Sequence, residues 1–226
     1  MGLNGAAPSP CEAPVARPAL GDGRRHPLRR VLDVALAGSI LLVTTPLLVA
    51  AALIVLATSG RPVFYAHGRI GRHGQPFRCW KLRTMEVGAD ARLRATPALH
   101  RRYVANGYKL PPDEDPRVTR AGRWLRRTYI DELPQLFNVL VGDMSLVGPR
   151  PVIEEELEEF APDIALLLSL RPGLFGAWTS RGDRRPPYPE RARLELDYAR
   201  DPSVRRDLAI LLRSIPVVLR GSRNGA

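Results

Sequence analysis

Asp131 and Glu132 are adjacent carboxylates in basic surroundings: Arg123, Arg126 and Arg127 lie upstream, and Arg150 lies downstream between two prolines. An ionised carboxylate among cations can attack phosphorus as a nucleophile, and a second can hold a Mg²⁺ that bridges phosphate oxygens. Leu133, Leu136, Phe137 and Leu140 follow with helical spacing, so residues 131–141 are predicted to form a helix with Asp131 as N-cap and Pro134 in the first turn. Capping alone would explain the carboxylate pair. The arginines shift the reading towards a phosphate site, because a helix start offers free N–H groups to anions. Lys81 and Arg83 fall on one face of a predicted strand, where two cations can clamp a diphosphate or simply guard a strand edge. The prolines beside Arg150 stiffen its backbone and aim its guanidinium. Residues 142–151 lack a Walker lysine and are no nucleotide P-loop.

Bringing these residues together needs a folded scaffold. The 226 residues, 45% hydrophobic and 25% charged, have the composition of a folded protein long enough for a sizeable core. Residues 61–226 are predicted to form an α+β domain, mainly helical with a few short strands. Residues 63–85 predict two strands around a Gly-rich turn. Residues 86–112 predict helix then loop, residues 115–130 a loop then a basic helix, and residues 154–170 an acidic helix followed by an apolar one. The apolar stretches near 164–170 and 208–219 are predicted to lie in a membrane interface as amphipathic helices, with packing in the protein core as the competing reading.

Residues 31–57 are almost wholly apolar, with Asp33 the single charge, and exceed the roughly 20 residues a bilayer crossing needs. A globular helix would carry a polar stripe, and this run has none. Thr44, Thr45 and Pro46 stand midway. Proline removes a backbone hydrogen bond, and a threonine hydroxyl can take up a freed carbonyl. Arg24, Arg25, Arg29 and Arg30 precede the run, and Arg61, Arg69 and Arg72 follow it, so positive charge gives no inside–outside asymmetry. A kinked spanning helix and a re-entrant hairpin both satisfy these features. Residues 1–27 read as a disordered basic tail rather than a secretory signal.

A net charge of +11 and a pI near 10.7 suit phosphate, nucleic acid or an anionic membrane as partner. Lys81 and Lys109 are the only lysines; arginine supplies every other strong base. A nucleic-acid-binding protein leaves the apolar run unexplained. No helix-turn-helix or aromatic stacking pattern accompanies the charge, so no nucleic-acid partner is expected. Cys11 and Cys79 cannot build a disulfide framework, and neither they nor the four histidines show metal-ligand spacing.

Residues 128–151 read Thr-Tyr-Ile-Asp-Glu-Leu-Pro-Gln-Leu-Phe-Asn-Val-Leu-Val-Gly-Asp-Met-Ser-Leu-Val-Gly-Pro-Arg-Pro. This stretch closely resembles the signature of the bacterial sugar transferases, monotopic phosphoglycosyl transferases acting on polyprenyl phosphate. The likeness includes Lys-Leu-Arg-Thr-Met at 81–85, residues 115–126 and Arg-Pro-Gly at 171–173, and covers nearly everything from residue 28 onward. It implies an enzyme of the small monotopic form, on the cytoplasmic face of the bacterial inner membrane and in contact with its lipids. Such an enzyme transfers a sugar 1-phosphate from a UDP-sugar to polyprenyl (undecaprenyl) phosphate and releases UMP, in exopolysaccharide or other glycoconjugate assembly. By the resemblance Asp131 is the nucleophile and Glu132 the Mg²⁺-associated carboxylate. Lys81, Arg126 and Arg150 bind substrate phosphate, and Thr45 and Pro46 mark the break of a re-entrant membrane helix at residues 28–60.

Two departures from the family pattern concern the substrate more than the chemistry. Residues 179–183 differ, so the family's arginine there falls on Arg181 or Arg184. Glu195, not an aspartate, stands three residues before Tyr198. A membrane-anchored adaptor of the same fold without catalysis is the competing reading, and the intact Asp131, Glu132, Lys81 and Arg150 weigh against it.

Overall fold

The apolar run folds as one helix, α1 (Pro27–Ser59), in the computed structural model, which describes residues 27–181 and 186–221. The basic tail expected before Pro27, Cys11 and Arg184 lie outside the described residues. One stripe of α1 is buried, at Asp33, Ala37, Leu48, Ala51 and Val55, while Leu42 and Val43 on other faces are each 78% exposed. Helical structure continues through Pro46, so α1 shows no interruption at residues 44–46 where a helix–break–helix was expected. Proline removes a single hydrogen bond, and the neighbouring turns hold. The hydroxyls of Thr44 and Thr45 donate to the carbonyls of Ile40 and Leu41, both at 2.7 Å, rather than to the Leu42 carbonyl that Pro46 frees. Back-bonding beside a proline is chemistry that bends a helix rather than ending it.

Strands β1 (Phe64–Ile70) and β2 (Pro76–Leu82) pair antiparallel around the Gly-rich turn, with Tyr65 opposite Lys81. Helices α2 (Ala89–Ala95) and α3 (Pro97–Ala105) follow, separated at Thr96, because a residue before proline is steered out of helical geometry. The basic helix α4 (Arg120–Arg127) is capped by Thr119, whose hydroxyl accepts from the Gly122 N–H at 3.0 Å. Asp131 is not an N-cap. Tyr129 closes α4 at φ 58, and residues 130–132 form a 3-10 turn before α5 (Gln135–Val141) begins beyond Pro134. A tyrosine in left-handed geometry is uncommon, and its chain reversal displaces the helix start.

Strand β3 (Ser145–Val147) runs parallel to β4 (Gly173–Phe175), with a 3-10 helix at Glu154–Phe160 and short α6 (Ile164–Leu167) between them. Helices α7 (Glu190–Arg200) and α8 (Val204–Arg220) complete the described chain. The interfacial placement expected for residues 164–170 is corrected: Leu167, Leu168 and Leu170 are buried, the first two against Val152, Phe160 and Leu196. An apolar run without a polar stripe has no face for water. Helix α8, by contrast, leaves Leu208, Leu212, Ile215 and Leu219 exposed.

Two cores hold α1 along its length. Ala37 packs with Leu136, Val139, Leu146, Tyr198 and Ile210, whereas Leu48, Ala51 and Val55 pack with Leu82, Leu125 and Ile130. Both ends of α1 are tied to the same domain. Arg29 donates to Asp207 at 2.6 Å and to the Tyr198 hydroxyl at 2.8 Å, and Arg83 donates to the Ser59 and Gly60 carbonyls. Arg83 complements the C-terminal end of α1 through one terminal nitrogen, while its Nε and its other terminal nitrogen are buried without a hydrogen-bond partner. Strand β2 stops at Leu82, yet Arg83 still shares with Lys81 the lining of one cavity.

Gly122 lets α4 meet the end of β2: a Cβ there would collide with the Thr84 carbonyl. Gly122→Ala is expected to destabilise the fold by about 1–3 kcal/mol. A thermal melt of the purified variant checks this, and an unchanged melting temperature would refute the close approach.

Candidate active site

The end of β2, α4 and the turn at 130–132 converge on a cavity of about 400 Å³ lined by Lys81, Arg126, Asp131 and Arg150. Glu132 joins this group through Lys81, whose Nζ donates to Glu132 Oε1 at 2.6 Å. Asn138, 1% exposed, fixes that pairing from behind. It accepts from the Trp80 N–H at 3.0 Å and donates to the Arg78 carbonyl at 2.8 Å, imitating a further strand on β2. Arg126 is steered by its Nε, which donates to Thr84 Oγ1 at 2.8 Å. The Arg150 N–H donates to Glu195 Oε1 at 3.2 Å, and its guanidinium lies 5.8 Å from the Trp178 ring. Two of the three upstream arginines are engaged away from Asp131: Arg123 donates to the Val118 carbonyl and Arg127 pairs with Asp113 on the surface. Thr45 and Pro46 are exposed on α1, and Arg181, on the 3-10 turn at Thr179–Arg181, does not line the cavity.

Asp131 is 3% exposed, and its Oδ1 has no hydrogen-bond partner. Burial pushes its carboxyl above the usual range and the Glu132 charge adds to this, while Lys81, Arg126 and Lys109 pull it down. Burial also opposes the Glu132 charge, but Lys81 and Arg150 outweigh it and hold that carboxyl down at about 2. The adjacent carboxylates therefore divide: Glu132 stays an anion, and Asp131 holds a proton more readily.

Among the described residues no group of three or more His, Cys, Asp or Glu is placed to hold a metal. Mg²⁺ does not need one, since it retains waters and takes one or two carboxylates together with substrate phosphates. Asp131 with its orphaned oxygen and Glu132 fit that requirement.

Lys109, Arg69 and Glu156 also line the cavity and were not found from the sequence. Lys109 left one signal: both lysines of an otherwise arginine-based chain face the same cavity. Lysine is a compact point charge, distinct from the planar arginine fork. Arg69 lies 3.6 Å from Glu156 across 87 positions of chain, a pairing that only folding creates.

Glu195 supports Arg150 and is 1% exposed. Burial pushes its carboxyl up from 4.5 to about 7 against the pull of Arg191 and Arg150. The unfolded chain releases that proton near the ordinary value and the folded chain keeps it longer, so this group lowers stability as pH rises through the interval. Glu195→Gln is expected to flatten that slope in thermal melts between roughly pH 4 and pH 8. Parallel slopes for both proteins would show that Glu195 ionises as freely folded as unfolded.

A carboxylate pair under a basic cavity, beside an exposed apolar helix, has the make-up of a phosphate-handling site next to a lipid-seeking surface. The chain belongs to the bacterial sugar transferase family, whose sequence pattern matches residues 24–221. It is 39% identical over 202 residues to the undecaprenyl-phosphate galactose phosphotransferase of Salmonella typhimurium, covering 88% of this chain and 41% of that protein. It is 40% identical over 200 residues to the exopolysaccharide production protein ExoY of Rhizobium meliloti, covering 86% of this chain and 87% of that one. The UDP-glucose:undecaprenyl-phosphate glucose-1-phosphate transferase of Escherichia coli is 35% identical over 196 residues, with 83% of this chain and 39% of the relative covered. The chain thus spans about two fifths of the length of several relatives and most of ExoY.

Proposed function

We propose that this protein transfers a sugar 1-phosphate from a UDP-sugar to polyprenyl phosphate through a covalent intermediate on Asp131. The observation that carries this reading is the buried, unpartnered Asp131 oxygen in a cavity lined by Lys81, Arg126 and Arg150. The Asp131 carboxylate attacks the sugar-bearing phosphorus, the bond from that phosphorus to the bridging oxygen breaks, and UMP departs with the electron pair. An oxygen of polyprenyl phosphate then attacks the same phosphorus, the bond to Asp131 breaks, and the carboxylate is regenerated. Two steps spare the site from holding a water-soluble and a lipid substrate at once. Lys81, Arg126 and Arg150 balance the charge on the phosphoryl oxygens. Glu132 would hold a Mg²⁺, which when bound would supply further neutralisation of the diphosphate charge. The decisive measurement is UMP release from UDP-sugar alone, with a protein-bound phosphosugar trapped before lipid is added. UMP that appears only in the presence of polyprenyl phosphate would establish direct transfer instead.

Helix α1 supports a membrane arrangement for the same protein. Its ends are both tied to the domain that carries the cavity, and its outer faces are apolar. A helix held along its length by one domain has no free end to leave on the far side of a bilayer. In this reading α1 is re-entrant, bending at Pro46, on the cytoplasmic face of the inner membrane, with the exposed side of α8 beside it. Single cysteines at positions 28 and 61 are expected to escape an impermeant thiol reagent added to intact cells. Labelling of either from outside would make α1 a spanning helix.

A further inference from the structure

A second cavity, of about 500 Å³, lies at the N-terminal end of α1 and shares no lining residue with the first. Arg29 and Arg30 of α1, Arg72 of the β1–β2 turn and Arg171 before β4 converge on it. Arg30 donates to the Val139 and Leu140 carbonyls at 2.6 and 2.8 Å, and Arg72 Nε donates to the Ser169 carbonyl at 2.9 Å. Carbonyl bonds of this kind fix the Arg30 guanidinium in place without cancelling its charge. Asp33 is the lining carboxylate, and both its oxygens are turned into β3: Oδ1 accepts from the Leu146 N–H at 2.9 Å and Oδ2 from Ser145 Oγ at 2.7 Å. Asp207 answers Arg29 at 2.6 Å.

The cavity has an apolar border. Val31 lines it and is 63% exposed; Leu28 on the first turn of α1 and Leu208 beside Asp207 are exposed as well. We propose that this cavity binds the phosphate head group of an anionic membrane lipid, whose acyl chains run along the exposed faces of α1 and α8. A free phosphate would use the arginines and gain nothing from Val31 or Leu28, whereas a lipid uses both. Held arginines are organised before the lipid arrives, so little side-chain freedom is lost on binding. The bound lipid seats the start of α1 at head-group depth, apart from the chemistry at Asp131.

The test uses the full chain in a neutral detergent, titrated separately with short-chain phosphatidylglycerol, phosphatidylcholine of the same chain length and inorganic phosphate. Melting temperature and native mass spectra are the readouts. Phosphatidylglycerol is expected to raise the melting temperature and remain bound in the mass spectrum, and the other two are not. Arg72→Gln with Arg171→Gln is expected to weaken phosphatidylglycerol binding by at least about tenfold, while Arg171→Lys retains most of it. Equal stabilisation by phosphatidylcholine would reduce the feature to a generic apolar surface and overturn the proposal. Inorganic phosphate matching phosphatidylglycerol would also overturn it, leaving an anion site with no lipid preference. Undiminished binding by the double variant places the lipid elsewhere. If the double variant does not fold, Arg171→Gln against Arg171→Lys decides on the same terms.

Discussion

Asp131→Asn is expected to abolish turnover and the trapping of a protein-bound phosphosugar together. The substitution keeps the volume of the side chain in a site where Asp131 is 3% exposed, so the cavity stays intact. What it removes is the anionic oxygen that forms the bond to phosphorus. The wild-type reaction also carries a pH signature. Burial first, then the Glu132 charge, raises the proton affinity of Asp131, while Lys81, Arg126 and Lys109 lower it. UMP release from UDP-sugar alone should therefore rise with pH through a range above that of an ordinary aspartate, as the carboxylate becomes the majority form. Asp131→Asn that retains substantial activity, with UMP release still dependent on polyprenyl phosphate, would falsify the nucleophile assignment.

Glu132→Gln is expected to reduce the rate of covalent capture by at least about a hundredfold, the scale of losing one transition-state stabiliser. Glu132 sits as an anion against Lys81 at 2.6 Å, so the amide removes a charge that the site is built to hold. A second effect separates this account from simple damage. Losing the neighbouring charge relieves Asp131, whose proton affinity falls, and Lys81 is no longer neutralised by a partner. The acid limb of the residual capture reaction should consequently move to lower pH even as the rate drops. A rate loss with an unmoved acid limb would mean that the two carboxylates do not sense each other. The Mg²⁺ requirement gives an independent readout: the variant should need more metal for half-maximal capture, and an unchanged requirement would remove Glu132 from the metal's ligands.

The parts of the site legible in the sequence are those carried by one short run of chain. Asp131, Glu132 and Arg150 fall within 20 residues, and Arg126 precedes them in a helix whose basic character is plain. The strand pattern leaves Lys81 as either a phosphate clamp or an edge guard, and the family resemblance is what assigns it to phosphate. Lys109 and Arg69 reach the site from the loop after α3 and from β1, approaches that no local spacing encodes, whereas Glu195 on α7, marked in the sequence only as a departure from the family pattern, reaches it through Arg150. The strands around the Gly-rich turn and the basic helix formed as predicted, because alternation and Thr119 capping are local signals. The start of the helix after Asp131 was misplaced because a tyrosine in left-handed geometry has no sequence mark. Residues 164–170 were misplaced for a different reason: an apolar run reads the same whether protein or lipid covers it.

Arg29 and Asp207 meet across 178 positions of chain, and both cores beneath α1 are completed by residues that follow it. During synthesis α1 therefore leaves the ribosome long before its partners exist. Its apolar faces must be sheltered in the interval, and the bilayer surface is the natural shelter. Under the membrane arrangement proposed above, the domain would then close onto a helix already lodged in lipid, and insertion and folding would be one event. An α1 deletion would accordingly be no soluble version of this protein, because it strips the floor from both cores.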